Sequence, residues 1–110
     1  MDAFELAQLA ARQQTSGRPY LEFFRTSALS LGLYVLPDGG VDRQIAHAED
    51  EVYYVTAGQG RVTVGSDERE VGPGSIVYVG ARVAHRFHSI TETLSLLVFF
   101  APAEYSQVQD

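Results

Sequence analysis

Regularly spaced chain breakers, which separate short apolar runs, constrain the fold of this sequence more than any other feature. Clusters of glycine, proline, asparagine and aspartate mark turns. They occur at PDGG (37–40), AGQG (57–60), GSDE (65–68), VGPG (71–74) and VGAR (79–82). In ALSLGLYVL apolar residues alternate with a period of two, so Leu29, Leu31, Leu33 and Val35 are expected on the buried face of a half-buried strand. The pattern predicts about eight to ten antiparallel strands in an all-β sandwich or barrel.

One helical segment, residues 2–15, precedes the predicted strands. Asp2 and Glu5 fit a capping box, and Gly17 follows the segment as a stop. No second helical segment is present to form a parallel βαβ crossover. We therefore expect a helix and connection over 1–18, a barrel over 19–104 and a tail over 105–110, with the final EYSQVQD free to fray. Gly58 and Gly60 are expected to serve a hairpin.

Size and charge exclude several functional classes. A chain of 110 residues fits one domain. With 8 basic and 14 acidic residues, a formal net charge of -6 disfavours nucleic acid as a partner. The longest apolar run, LLVFFA, is too short for a membrane span, and the acidic N-terminal segment does not fit a signal peptide, so we expect a cytoplasmic protein without a membrane partner. Because there is no cysteine, nitrogen and oxygen must hold any metal.

Two motifs carry the chemistry of the chain. The first reads GVDRQIAHAEDEVYYVTAG from Gly40, and the second reads GSIVYVGARVAHRFHS from Gly74. Their spacing resembles that of the cupin superfamily, in which glycine, His-x-His, glutamate and glycine form the first motif and glycine, Pro-x-Gly, histidine and asparagine the second. The resemblance covers about residues 40–89. It implies an all-β double-stranded β-helix, or jelly roll, here with one short N-terminal α-helix.

The resemblance also implies a metal site at His47, Glu51 and His85. Ile45 stands where the family's first histidine would be, and Gly80, Arg82 and Ser89 replace a proline, a glycine and the asparagine of the second motif. Two histidines and one carboxylate are still a recognised ligand set, and they suit a divalent transition metal such as Fe, Mn, Ni, Cu or Zn. The alternative is a polar pocket that lost its metal along with the first histidine.

Three further residues are expected to line a pocket beside this site: Ile45, Tyr53 and Phe87. Tyr53 shares a strand face with Glu51, and Phe87 shares one with His85, because alternate residues of a strand point the same way.

Other polar residues near the motifs have simpler interpretations. Glu49 and Asp50 are expected in a solvated turn. His88 faces away from His85 and is interpreted as a surface histidine, with a ligand or acid/base role as the alternative. Gln44 is a weaker oxygen donor, because Ile45 is expected to hold the inward position.

Three classes of function fit these features. The first is a metal-dependent enzyme of dioxygenase, isomerase or lyase type that acts on a small oxygen-bearing molecule. The second is a non-catalytic module that binds a small molecule or a metal. The third is a structural or interaction protein. A homodimer is compatible with each, since TLSLLVFFAP has the pattern of a strand buried on both faces. The N-terminal helix is expected to cover the outside or an edge of the sandwich, with a lid over the pocket as the alternative.

Overall fold

A computed structural model describes residues 1–106 and shows an all-β fold with one N-terminal helix, as predicted. Within these residues no helix is long and apolar enough to cross a membrane. The elements are α1 (Leu6–Ser16), β1 (Tyr20–Arg25), β2 (Ser30–Leu36), β3 (Asp50–Val64), β4 (Asp67–Val71), β5 (Ile76–Val79) and β6 (His85–Ala101). All strand pairings in the described chain are antiparallel, in the order β1-β2-β6-β3-β4, with β5 on β3.

Residues 1–106 contain six strands instead of the eight to ten that the breakers predicted, because β3 and β6 are long and serve both halves of the jelly roll. The first part of β3 pairs with the end of β6 and with β5, and its second part pairs with the start of β6 and with β4. AGQG lies inside β3, where the register shifts and Gly58 has a φ of 94°. The hairpin expected there was wrong, since the glycine forms a bulge that bends the strand. GSDE, VGPG and VGAR do connect strands.

Strand β2 is covered on both faces, which corrects the predicted half-buried strand. Tyr34 and Leu36 point into the core cluster, and Leu33 is fully buried although it lies on the opposite face. Leu31 lines an apolar gap together with Leu9 of α1. Leu31 therefore lies on the helix side of the strand, whereas Leu29, which precedes β2, is 37% exposed.

Helix α1 packs on the outer side of β1 and β2, as expected, and does not line the cavity beside the candidate site. It begins at Leu6 with Glu5 as the N-cap, and the Glu5 side chain makes no cap hydrogen bond, so the capping box predicted at Asp2 was wrong. Phe4 instead packs edge-on against Phe23 and Phe24, with ring centroids 5.0 and 5.8 Å apart. These edge-on contacts attach the segment before α1 to β1, although Phe4 remains 41% exposed.

The barrel core is formed by residues that alternate along the strands. In β6 the side chains of Leu94, Leu96, Val98 and Phe100 are buried, whereas Phe99 is 39% exposed. The expectation that this strand is buried on both faces was therefore wrong for the single chain. The core cluster contains Tyr34, Leu36, Tyr53, Val55, Val62, Val71, Val79, Phe87, Ile90, Leu94, Leu96, Val98 and Phe100.

Candidate metal centre

Three segments bring the predicted metal ligands together at one end of the barrel. His47 ends an extended stretch before β3, Glu51 is the second residue of β3, and His85 is the first residue of β6. The carbonyl of His47 accepts a hydrogen bond from the Arg82 N–H at 2.6 Å, which holds the turn before β6 against this stretch. One ligand atom from each of the three side chains lies within 4.8 Å of the others, and all three residues are buried.

The contacts within the group leave polar atoms without partners. Glu51 Oε1 lies 2.9 Å from His85 Nε2 and 3.5 Å from His47 Nδ1. Neither approach is aligned as a hydrogen bond, so among the described residues both Glu51 carboxylate oxygens and His47 Nδ1 lack hydrogen-bond partners. Buried polar atoms in this condition are costly unless a cation satisfies them. The group therefore fits a metal ion.

The outer nitrogens of both histidines are held by oxygen acceptors. His85 Nδ1 donates to the Val83 carbonyl at 2.9 Å, and His47 Nε2 lies 2.9 Å from Glu104 Oε2. A neutral imidazole carries one N–H, so these contacts leave the lone pairs on His85 Nε2 and His47 Nδ1, the two nitrogens nearest Glu51. An oxygen acceptor behind each ligating histidine is the usual arrangement in metal sites.

Ionisation in this group follows from burial and from the neighbouring charges. Burial raises the pKa of Glu51, but the contacts with His47 and His85 outweigh it and lower the pKa to about 2. Burial lowers the pKa of His47, while Glu104 and Glu51 raise it to about 9. The pKa of His85 is also raised, because Glu51 and the Val83 carbonyl overcome its burial. The site thus attracts positive charge, and a bound metal would displace protons from it.

Tyr53 and Phe87 are fully buried in the core cluster beside the ligand group. The Tyr53 hydroxyl lies 3.0 Å from His85 Nε2, and its ring meets Phe87 edge-on at 4.9 Å between centroids. Burial, and then the charge of Glu51, raise the pKa of Tyr53, so the phenol is neutral. Ile45, the third predicted pocket residue, is 73% exposed at the edge of a cavity.

The stretch before β3 contains a buried carboxylate that sequence reasoning missed. Asp42 accepts hydrogen bonds from the Tyr34 hydroxyl at 2.8 Å and from the Phe87 N–H at 2.9 Å. Gln44 Nε2 donates to the same carboxylate at 3.1 Å. Because residues 41–47 are not a strand, strand alternation does not apply, and Gln44 is more buried than Ile45. The expected inward position of Ile45 was therefore wrong.

Two other glutamates lie close to the ligand group. Glu49 is 1% exposed, and its Oε1 accepts the Tyr105 N–H at 3.0 Å. Glu104 is 8% exposed and contacts His47. The solvated turn expected for Glu49 and the fraying expected for Glu104 and Tyr105 were wrong, because these residues hold each other's segments in place. Residues 107–110 of the predicted tail lie outside the described residues.

His88 lies apart from the ligand group, as expected. Its Nε2 is 3.0 Å from Glu68 Oε1 and 2.8 Å from Thr63 Oγ1, on the outer side of β3 and β4.

A cavity of about 310 Å³ opens beside His47. Its walls are mostly apolar and aromatic, with a few polar groups, as is usual for small-molecule sites. The lining residues are Pro19, Tyr20, Tyr34, Arg43, Gln44, Ile45, His47, Val98, Phe100, Glu104 and Tyr105.

Comparison with known proteins identifies the family. The cupin domain family matches residues 32–100, which include the three candidate ligand residues and most of the barrel. The chain belongs to the cupin family. An uncharacterised protein of Streptomyces coelicolor is 47% identical to this cupin over 104 residues, which are 94% of this chain and 99% of the relative.

Solved structures support the same fold. The protein TT1209 of Thermus thermophilus superposes on this cupin with a TM-score of 0.76 and 25% identity, covering 94% of this chain and 99% of that protein. KdgF from Halomonas matches with a TM-score of 0.71 and 17% identity over 81% and 82% of the two chains. The DMSP lyase DddQ of Ruegeria pomeroyi matches with a TM-score of 0.67 and 20% identity over 76% of this cupin and 42% of the lyase. The last two likenesses concern the fold alone.

Proposed function

We propose that this cupin binds a divalent transition metal through His47, Glu51 and His85 and presents it to a small oxygen-bearing molecule. The observation that carries the proposal is the convergence of three buried ligand atoms within 4.8 Å around a carboxylate whose oxygens have no hydrogen-bond partner in the described chain. Two imidazole nitrogens and one carboxylate oxygen suit Fe, Mn, Ni, Cu or Zn. When bound, the metal supplies Lewis acidity or, if it is iron, dioxygen chemistry.

The residues of this cupin have separate parts in such a reaction. His47 and His85 are turned toward Glu51 by the acceptors behind them, and Tyr53 places a neutral hydroxyl at the edge of the ligand group. Phe100 and Val98 give the cavity an apolar wall, while Arg43 and Gln44 offer it hydrogen-bond donors. A molecule with an apolar body and one or two oxygen groups fits that lining. Dioxygenase, isomerase and lyase reactions all use such molecules.

A second candidate function is binding without turnover. Only His47 of the three ligands lines the cavity, and the side chains of Glu51 and His85 are fully buried. An ion so enclosed has little open space for a substrate, which favours a module that senses or stores a metal or a small molecule. Turnover would then require a movement of His47 or of the segment that carries Glu104.

Elemental analysis tests the metal proposal. Protein without an affinity tag would be purified without chelator, beside a His47→Ala, His85→Ala double variant and a His88→Ala control. About one metal per chain in the wild type and the control, and none in the double variant, would support the site. No uptake by the wild type after incubation with iron, manganese, nickel, copper and zinc would refute it. If metal binds, its identity selects oxygen or Lewis-acid assays, and tight retention of a ligand without product would favour the binding module.

The partners and the place of action are also proposals. We propose a cytoplasmic protein that acts on small molecules and not on membranes, and the net charge of -6 disfavours nucleic acid as a partner. Two rows of apolar side chains cross the outer face of β6, β3 and β5, and we call them the outer rows. They are Leu97, Tyr54 and Ile76, and Phe99, Val52 and Tyr78. Since Ile76 is 69% and Tyr78 62% exposed, the outer rows support a homodimer.

A further inference from the structure

A second carboxylate, Glu104, contacts the candidate metal centre from outside both cupin motifs. Its Oε2 lies 2.9 Å from His47 Nε2, and its side chain is 11% exposed. We propose that Glu104 is a positioning residue that fixes His47 as a metal ligand through Nδ1. This inference rests on the proposed metal site and adds a residue to it.

The chemistry of the contact decides which nitrogen of His47 can bind a metal. An ionised carboxylate only accepts hydrogen bonds, so the nitrogen beside Glu104 must carry the hydrogen. The lone pair of the neutral ring then lies on Nδ1, which is the nitrogen 3.5 Å from Glu51 Oε1. Without Glu104 the ring would exchange between two tautomers and lose the restraint on its rotation. The expected effect is on metal affinity.

Backbone contacts hold Glu104 in place independently of His47. Its N–H donates to Ser30 Oγ at 2.9 Å, and its carbonyl accepts from Arg25 Nη2 at 2.7 Å. Next to it, the Tyr105 N–H donates to Glu49 Oε1 at 3.0 Å. Removing the Glu104 side chain leaves these three contacts, so the segment should keep its path in a Glu104→Ala variant.

Charge gives a second reason for the carboxylate. Glu51 and Glu104 are two of the three buried glutamate carboxylates at this end of the barrel, and both contact His47. Buried ions are tolerated when opposite charges and hydrogen bonds compensate them. Loss of Glu104 would remove one of these carboxylates from beside a bound divalent ion, again at the cost of affinity.

Zinc affinity tests the inference without an activity assay. Competition with a chromophoric chelator would compare the wild type with Glu104→Ala, Glu104→Gln and the control Glu70→Gln. The Glu70 side chain is 85% exposed and lies 3.4 Å from Arg61, so its substitution removes a surface carboxylate and leaves His47 and Arg25 untouched. We expect Glu104→Ala to weaken zinc binding about 10- to 100-fold. Glu104→Gln should be intermediate, since its amide oxygen can still accept from Nε2–H, and Glu70→Gln should change affinity by less than about twofold.

Nitrogen NMR of the zinc-loaded wild type gives an independent measurement. The inference expects zinc on Nδ1 of His47 and a proton on Nε2. Zinc on Nε2, or an unchanged affinity in Glu104→Ala, would overturn the role of Glu104 and leave the metal site standing. Failure of the wild type to bind zinc or any other metal of the set would overturn both. Circular dichroism establishes that the variants fold, and if Glu104→Ala does not, the affinity of Glu104→Gln decides.

Discussion

A methyl group added at Gly32 should disturb the cavity beside the candidate metal centre. A Cβ at this position of β2 would overlap the hydroxyl and ring of Tyr20, which lines that cavity and packs edge-on against Tyr34 at 6.0 Å between centroids. In Gly32→Ala the Tyr20 ring must move. The Tyr20 hydroxyl has no hydrogen-bond partner in the described chain, so moving the ring breaks van der Waals contacts but no hydrogen bond. Overpacking of this kind costs about 1 to 3 kcal/mol in the free energy of unfolding.

Thermal and urea unfolding of the metal-free protein would measure this cost. With an unfolding entropy of about 2.1 cal/mol/K per residue, the melting temperature should fall by roughly 4 to 13 °C. In a Tyr20→Ala background the same glycine substitution should be neutral or stabilising, because alanine suits a strand better than glycine. A Tyr20→Phe background should not rescue it, because the ring itself overlaps. An equal cost in the wild-type and Tyr20→Ala backgrounds would refute this reasoning.

Three further predictions concern the centre and the outer rows. Tyr53→Phe removes a buried hydroxyl next to His85 and should lower the free energy of unfolding by about 1 to 2 kcal/mol in urea, with the ring packing retained. Without metal, stability should be greatest between the ordinary pKa values of about 4.5 for Glu51 and 6.5 for His47. Urea unfolding should show it decline as the pH falls toward 2, where Glu51 is protonated, and as the pH rises toward 9, where His47 loses its proton. Ile76→Lys should convert a dimer to a monomer in light scattering, and an unchanged mass would argue against this interface.

The fold class and the three candidate ligands could be predicted because they depend on short-range pattern. Period-two alternation and turn residues indicated strands, because a strand fixes where each side chain points. The resemblance of the two motifs to those of cupins indicated His47, Glu51 and His85, which the structure brings within 4.8 Å.

The bends could not be predicted from the same pattern. AGQG has the composition of a turn, yet it continues β3 through a bulge, because pairing with β6 is kept on both sides of Gly58. A hairpin at AGQG would have required β3 to separate from β6 at these residues. A glycine at positive φ serves either structure, so only the long-range partner distinguishes them. The same limit applies to β2, whose outer face is buried by α1.

The burial of Glu49 and Glu104 also depends on long-range contacts, so the sequence pattern did not predict it. Their carboxylates add negative charge near the candidate metal site. Acidic residues in a turn and near a chain end usually lie in water. Here Glu49, Glu51 and Glu104 are 1%, 1% and 8% exposed at one end of the barrel, with His47 between the last two. Carboxylates gathered in a poorly solvated region repel one another unless cations compensate them. His47 supplies a proton in the metal-free state, as its raised pKa indicates, and a divalent ion would supply more charge at the same point. Long-range contacts, which local sequence patterns do not predict, thus bury these carboxylates together, and their burial favours a cation at this point.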